Sequence, residues 1–341
     1  MTTEHAAGDR PRVDYLALGG TIASTRTDGD AGVSAVLTAE QIASSVDGLD
    51  EVADLRSSQF LQVPSASITL AQVLLLRDEI AARVAAGSRG VVLTQGTDSI
   101  EETAFALDLL WDGDAPIVVT GAMRNPSLPG PDGPANVLAA TRVAGSDAAR
   151  GLGALVVMND EIHAARFVRK MHTSSLGAFQ SPLTGPIGWL SEGHVRIATR
   201  PVGRAHIAVA AGAGVPPVAL VRVALGDDGR LLGTLAAQGY SGAVIEGMGG
   251  GHVAEVAMPL VRELARQVPV VLASRTGSGD VLRETYRFKG SEIELLAAGL
   301  IPAGQLDGLK ARLLLSLCLA AGYAPERIRE KFEGFGAVGS R

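Results

Sequence analysis

Two short segments place a hydroxyl after a glycine turn at the end of an apolar run: Leu18-Gly19-Gly20-Thr21 and Leu93-Thr94-Gln95-Gly96-Thr97-Asp98. A threonine hydroxyl is a weak nucleophile at neutral pH and must lose its proton to a base as it attacks. A lysine can take that proton where burial favours its neutral form, while a neighbouring carboxylate orients it and favours the charged form. Thr97, Asp98 and Lys170 supply the hydroxyl, carboxylate and amine of such a relay, and Thr21 supplies a second hydroxyl. Plainer readings stand beside these. Gly19-Gly20-Thr21 also suits a turn that ends a strand, and the basic stretch Arg166-Phe167-Val168-Arg169-Lys170 also suits a solvated face. Ser99 and Glu102, or Asp98 and Glu101, have capping-box spacing. A cap requires one oxygen acceptor, however, and Gln95-Gly96-Thr97-Asp98 offers a hydroxyl and a carboxylate side by side at the positive end of the helix that follows.

Other chemistries find less support. The G-x-G-x-x-G spacing fails at Gly19-Gly20, and no G-K-[ST] follows a strand, so neither a dinucleotide nor a phosphate loop is expected. His5, His163, His172, His194, His206 and His252 form no H-E-x-x-H, and the single cysteine, Cys318, lies in an apolar run. No metal, no cofactor and no disulfide is expected. Ser278 lacks the first glycine of a G-x-S-x-G elbow at the correct spacing.

Positioning such residues requires strands that end where the chemistry begins. A chain of 341 residues is long for one core and favours two domains. Short β-branched runs over 13–18, 90–94, 116–120 and 155–158 alternate with helical patterns over 38–45, 70–86, 99–111 and 133–144, as parallel βαβ units do. Ligands in such sheets bind beyond the carboxyl ends of the strands, where these segments lie. Prolines and glycines in 125–134 mark a loop. A hairpin is expected around Glu192-Gly193. Further strands over 218–224, 242–246 and 268–273 alternate with helices over 255–267 and 306–321. The division is an N-terminal α/β domain, 1–190, a linker, 191–216, and a smaller C-terminal α/β domain, 217–341, with mainly parallel sheets. A net charge of −6 provides no footprint for nucleic acid or anionic lipid. The first 15 residues carry charges and proline where a signal peptide needs an apolar stretch, and no window reaches the length of a membrane helix, so a cytoplasmic protein is expected.

Gly19-Gly20-Thr21-Ile22-Ala23 and Gln95-Gly96-Thr97-Asp98-Ser99-Ile100-Glu101-Glu102-Thr103 closely resemble, in the right order, the two active-site signatures of bacterial type I/II L-asparaginases. The resemblance continues through Val119-Thr120-Gly121-Ala122-Met123-Arg124, Asp132-Gly133-Pro134-Ala135-Asn136 and Val157-Met158-Asn159-Asp160-Glu161, and reaches Ser274-Arg275 and Lys310-Ala311-Arg312. It implies a flavodoxin- or Rossmann-like larger domain and hydrolysis of L-asparagine, or of L-glutamine, through a threonine acyl-enzyme. Thr21 matches the attacking threonine, and Thr97, Asp98 and Lys170 match the relay. Ser65, in preference to Ser58, matches the serine that holds the substrate α-carboxylate. Asp98 would also hold the α-ammonium, with Gly20, Gly96 and Ala122 lining the pocket. The resemblance further implies a homotetramer built from dimers, in which a neighbour's His252 and Glu284 complete each site.

Two positions depart from the pattern. The glycine-rich lid around Asp28-Gly29-Asp30-Ala31-Gly32 has no tyrosine between 25 and 36, and His252 stands where several members carry asparagine. Alternative readings are a glutaminase-asparaginase, an amidotransferase subunit, which the acidic balance disfavours, and a non-catalytic amino-acid sensor.

Overall fold

The computed structural model describes residues 10–20, 22, 24–26, 33–35 and 37–336. The chain divides into two compact units, Met1–His206 and Ile207–Arg341. Strands of the first are β1 (Arg12–Ala17), β2 (Ser24–Arg26), β3 (Val33–Ala35), β4 (Asp54–Gln59), β5 (Gly90–Thr94), β6 (Ile117–Thr120), β7 (Ala154–Met158), β8 (Glu161–Ala164), β9 (Arg169–Lys170), β10 (Phe179–Gln180), β11 (Gly188–Ser191) and β12 (His194–Ile197). Its helices are α1 (Ala39–Ser44), α2 (Leu49–Val52), α3 (Leu70–Ala85), α4 (Ile100–Leu110) and α5 (Gly133–Gly145). Thr38 and Thr69 open α1 and α3 through capping boxes with Gln41 and Gln72, which satisfies amides that the first helical turn leaves unpaired.

One sheet runs β12-β11-β8-β7-β6-β5-β1-β4. Within it β4, β1, β5, β6 and β7 are parallel, and β8, β11 and β12 continue antiparallel. All residues of β5, β6 and β7 are buried, as strands covered on both faces require. The parallel strands stand in the chain order 2-1-3-4-5, so the direction of winding reverses between β1 and β5.

The helices reveal an unusual connection. α3 and α4 pack together on one face of the sheet, whereas α1, α2 and α5 cover the other, around Tyr15, Ile42, Leu49, Val92, Val118 and Val137. The β4-α3-β5, β5-α4-β6 and β6-α5-β7 crossovers step across the sheet in one direction, yet α5 lies on the opposite face from α3 and α4. Its crossover therefore has the opposite hand. Parallel crossovers are right-handed in about 98% of cases, which makes the α5 connection the left-handed one. The consequence is local. α5 lies under β5 and β6, and a Cβ on Gly133 at its start would sit 2.9 Å from Ile22 Cγ1 and 3.5 Å from Ala122 Cβ.

Three elements at the sheet's margins depart from, or refine, what local sequence suggests. β4, with the polar sequence DLRSSQ, is a half-exposed edge strand. The two-stranded β9-β10 ribbon is too short to show periodicity. The hairpin at Glu192-Gly193 forms through left-handed backbone at both residues, and its β12 lies within the stretch 191–216 read as linker while belonging to the first unit's sheet.

In the second unit β13 (Val218–Arg222), β14 (Gly242–Gly247), β15 (Val270–Ser274) and β16 (Ile301–Pro302) form a parallel sheet in that order. Helices α6 (Met258–Gln267), α7 (Glu292–Ala297), α8 (Gly308–Ala320) and α9 (Pro325–Glu333) accompany it. Cys318 is wholly buried in α8, where burial pushes its thiol up to about 12. No helix of the described residues is long and apolar enough to cross a membrane.

The first unit also buries a charge. Asp108, on α4, accepts from Arg204 Nε and from the Ala154 amide, both at 3.2 Å. Burial raises its pKa above the usual carboxylate value, and Arg204 is the strongest influence pulling it back. Arg204→Ala is expected to destabilise the fold by about 3 kcal/mol at neutral pH, because the carboxylate stays desolvated without its partner. With the folded-state pKa above the unfolded one, the folded chain binds the proton more tightly, and stability is lost as pH rises through that window. The deficit of the variant should therefore narrow as the pH falls from neutrality toward the usual carboxylate range. Urea melts across that pH interval check this, and a deficit that ignores pH would disprove the electrostatic account.

Candidate active site

At the reversal between β1 and β5, backbone meets backbone. Gly20 has φ +93°, and a Cβ there would fall 2.0 Å from the Gly96 nitrogen, a separation no side chain can adopt. A Cβ on Gly96 would lie 2.7 Å from Ser65 Oγ. The turn after β1, the turn after β5 and the short helical turn Ser65–Ser67 thus converge, and glycine is what allows them to touch.

The chain leaves β5 through Gln95 and Gly96 into a single turn, Thr97–Ser99, that feeds α4. Thr97 is 6% exposed, while the Asp98 side chain is 72% exposed. Across from them, β9 carries Lys170, paired in register with Phe179 of β10. The Lys170 Nζ donates to Thr97 Oγ1 at 2.8 Å and to Asp98 Oδ1 at 2.7 Å, with its side chain 14% exposed. The solvated-face reading does not describe this lysine. One amine bridges a buried hydroxyl and an open carboxylate, joining residues 72 and 73 positions apart.

Ser65 stands beside this pair. Its Oγ accepts from the Asp98 amide at 3.3 Å, and its carbonyl accepts from Ser99 Oγ at 2.8 Å. Ser58 is on β4 and accepts from Arg83 at 3.3 Å, so it belongs to a different network. Ser99 makes no side-chain cap for α4, despite its capping-box spacing. Its hydroxyl instead links Ser65 to Gln95, whose Nε2 donates to Ser99 Oγ at 3.2 Å.

Ala122 is buried in the loop after β6, and side chains not singled out from the sequence hold that loop. The Asp132 carboxylate accepts from the amides of Met123 at 3.0 Å and Arg124 at 2.8 Å. Asn136, one turn into α5, donates to the Gly121 carbonyl at 3.0 Å and accepts from the Asn159 amide at 3.0 Å. It ties together the ends of β6 and β7. The available signal was Asp132 and Asn136 four apart at a helix start, which places both on one face.

Thr21 and the lid segment Asp28–Gly32 lie outside the described residues. Tyr15 is committed elsewhere: its hydroxyl is buried in a 2.7 Å hydrogen bond with Thr94 Oγ1, across from β1 to β5. In the second unit, the His252 ring lies 3.2 Å from Glu292 and packs edge-on against Tyr286 and Phe288, and Glu284 is exposed.

Known proteins share both the sequence and the fold. A family model described as Asparaginase, N-terminal, matches residues 12–203, and one described as Glutaminase/Asparaginase C-terminal domain matches 217–332. An L-asparaginase of Bacillus licheniformis is 32% identical over 94% of this chain and 98% of its own length. A probable L-asparaginase of Deinococcus radiodurans is 35% identical over 94% of this chain and 97% of its own. The crystal structure of a probable cytoplasmic L-asparaginase from Campylobacter jejuni superposes with a TM-score of 0.86 at 30% identity, covering 95% of this chain and 99% of that one. The match thus runs through both units and through the strand-end segments that meet around Lys170, and the chain belongs to the asparaginase family.

Proposed function

We propose that the protein hydrolyses L-asparagine to L-aspartate and ammonia in two steps, with Thr21 as the covalent nucleophile. The observation that carries this reading is the Lys170 amine held between Thr97 Oγ1 and Asp98 Oδ1 at the carboxyl ends of the parallel strands. In the first step the Thr21 oxygen bonds to the side-chain amide carbon, the carbon–nitrogen bond breaks, and the hydroxyl proton leaves with ammonia. In the second, Thr97 and Lys170 take a proton from water as it attacks the ester, the acyl–oxygen bond breaks, and that proton passes to the departing Thr21 oxygen. Backbone N–H groups of the strand-end turns stabilise the oxyanion.

Substrate orientation follows from the same elements. Ser65 and the Gly96 backbone hold the α-carboxylate, and Asp98, open to solvent on one side, holds the α-ammonium. Gly20 and Ala122 shape the wall. His252 and Glu284 of a neighbouring subunit complete the site in a homotetramer built from dimers and located in the cytoplasm, and the reaction requires no cofactor. With Tyr15 buried and the lid lacking tyrosine, the burden of activation falls on the relay of Thr97, Lys170 and Asp98.

Ammonia release by purified protein at saturating L-asparagine tests the reading. Thr21→Ala and Lys170→Met should each lower kcat by about a thousandfold with the fold intact, in the range that loss of a positioned proton-transfer group or nucleophile produces. Near-native turnover in either variant would sink the mechanism. L-Glutamine run in parallel should be slower by about 10- to 200-fold in kcat/KM, the effect of one methylene. Substituting the two serines separates the carboxylate site. Ser65→Ala should raise KM about tenfold through loss of a charge-assisted hydrogen bond, whereas Ser58→Ala should leave KM unchanged. The reverse pattern would transfer the role to Ser58.

A further inference from the structure

We propose that His163 and Ser181 form a latch that sets the position of Lys170, so that His163 is a positioning residue of the relay although it lies on another strand. This rests on Lys170 acting as the proton acceptor described above. The strand carrying Lys170 has only two residues, and its partner β10 is equally short. So small a ribbon cannot fix its own place, because it contributes few backbone hydrogen bonds and little buried area. It is an excursion between β8 and β11, which pair with each other in the large sheet through Ile162 with Gly188 and Glu161 with Trp189. At the entry, the Phe167 and Val168 amides donate to the Ala164 carbonyl at 3.0 and 3.2 Å. At the exit, the Thr184 and Gly185 amides donate to the Ser181 carbonyl at 3.2 and 2.8 Å.

The side-chain tie at the exit is His163. Its ring, on β8, is fully buried, and Nδ1 lies 3.0 Å from Ser181 Oγ, in the residue that directly follows β10. Burial alone pushes the imidazole down to about 4, so the ring is neutral at physiological pH. Glu161 Oε2 stands 3.3 Å from Nε2. Nε2 itself has no hydrogen-bond partner among the described residues, and the serine hydroxyl can donate to or accept from Nδ1, so either neutral tautomer keeps the tie. A histidine in the interior of a sheet costs desolvation that an aliphatic side chain would not. What it provides is direction: one buried hydrogen bond fixes where β10 starts its exit, and the β9-β10 register passes that constraint to Lys170. The Met171 amide donates to the Ala178 carbonyl at 2.6 Å and extends the same register beyond the lysine.

The test reads Lys170 directly. Its labelling rate with acetic anhydride is followed by peptide mass spectrometry in the full-length protein, with exposed Lys289 as the internal reference. His163→Leu and Ser181→Ala should each raise Lys170 labelling about fivefold, equivalent to one lost hydrogen bond, with no change at Lys289. His163→Asn, whose amide occupies the place of Nδ1, should restore the slow rate. In the ammonia assay the first two variants should lower kcat about fivefold and shift the pH of half-maximal kcat by about half a unit, while KM holds within about twofold. Unfolding of a fraction of the protein would scale kcat without moving the pH profile. Unchanged Lys170 labelling in both His163→Leu and Ser181→Ala, or labelling that His163→Asn fails to restore, would overturn the latch. Should wild type release no ammonia, the hydrolase reading falls, while the labelling still decides whether His163 positions Lys170.

Discussion

At the reversal of the sheet, the chain after β1 and the chain after β5 approach until a methyl group on Gly20 would sit 2.0 Å from the Gly96 nitrogen. Everything else at the site is arranged around that contact. Because no side chain intervenes, the segment that leads to Thr21 and the segment that bears Thr97 and Asp98 share one small volume, and Ser65 enters it from the side. The parallel order that puts β1 beside β5 makes this the place where connecting helices diverge to opposite faces, which opens the sheet end to a ligand.

The left-handed α5 crossover serves the same place. A right-handed connection from β6 to β7 would carry α5 to the face of α3 and α4, and its amino terminus would not lie beneath Ile22 and Ala122. On the face it occupies, Asp132 and Asn136 reach the backbone of the β6 loop and of the β7 turn, so a helix start becomes the clamp for a pocket wall. The topology is uncommon, and its consequence is a set of strand-end loops that are held by side-chain hydrogen bonds from one helix.

The polar relay divides burial unequally. Thr97 is buried, the Lys170 side chain is nearly so, and Asp98 is open. An attraction between Lys170 and so exposed a carboxylate is screened by water and contributes little to folding. Its value is orientation: the amine is directed to the hydroxyl while the carboxylate keeps a solvent-facing side. Lys170 owes its reach to the β9-β10 ribbon, an element whose position is set by its attachments to β8 and β11.

The sequence by itself determined the parts that depend on neighbours within a few residues. The buried strands, covered on both faces, appear as apolar runs, the periodic patterns over 38–45 and 70–86 mark helices, and the glycine turns with hydroxyls mark candidate chemistry at strand ends. What only the tertiary structure decided depends on pairing between distant residues. β4 is polar because an edge strand needs no second apolar face, the β9-β10 ribbon is too short for any period, and the hand of the α5 crossover leaves no mark on local composition. Ser99 shows the same limit within one turn: its spacing matches a helix cap, yet Ser65, 34 residues away, offers its carbonyl as a partner and takes the hydroxyl. Lys170 likewise sits in a run of charges that locally suits solvent, and only the fold, by bringing its amine to the turn after β5, gives it a hydroxyl and a carboxylate to hold.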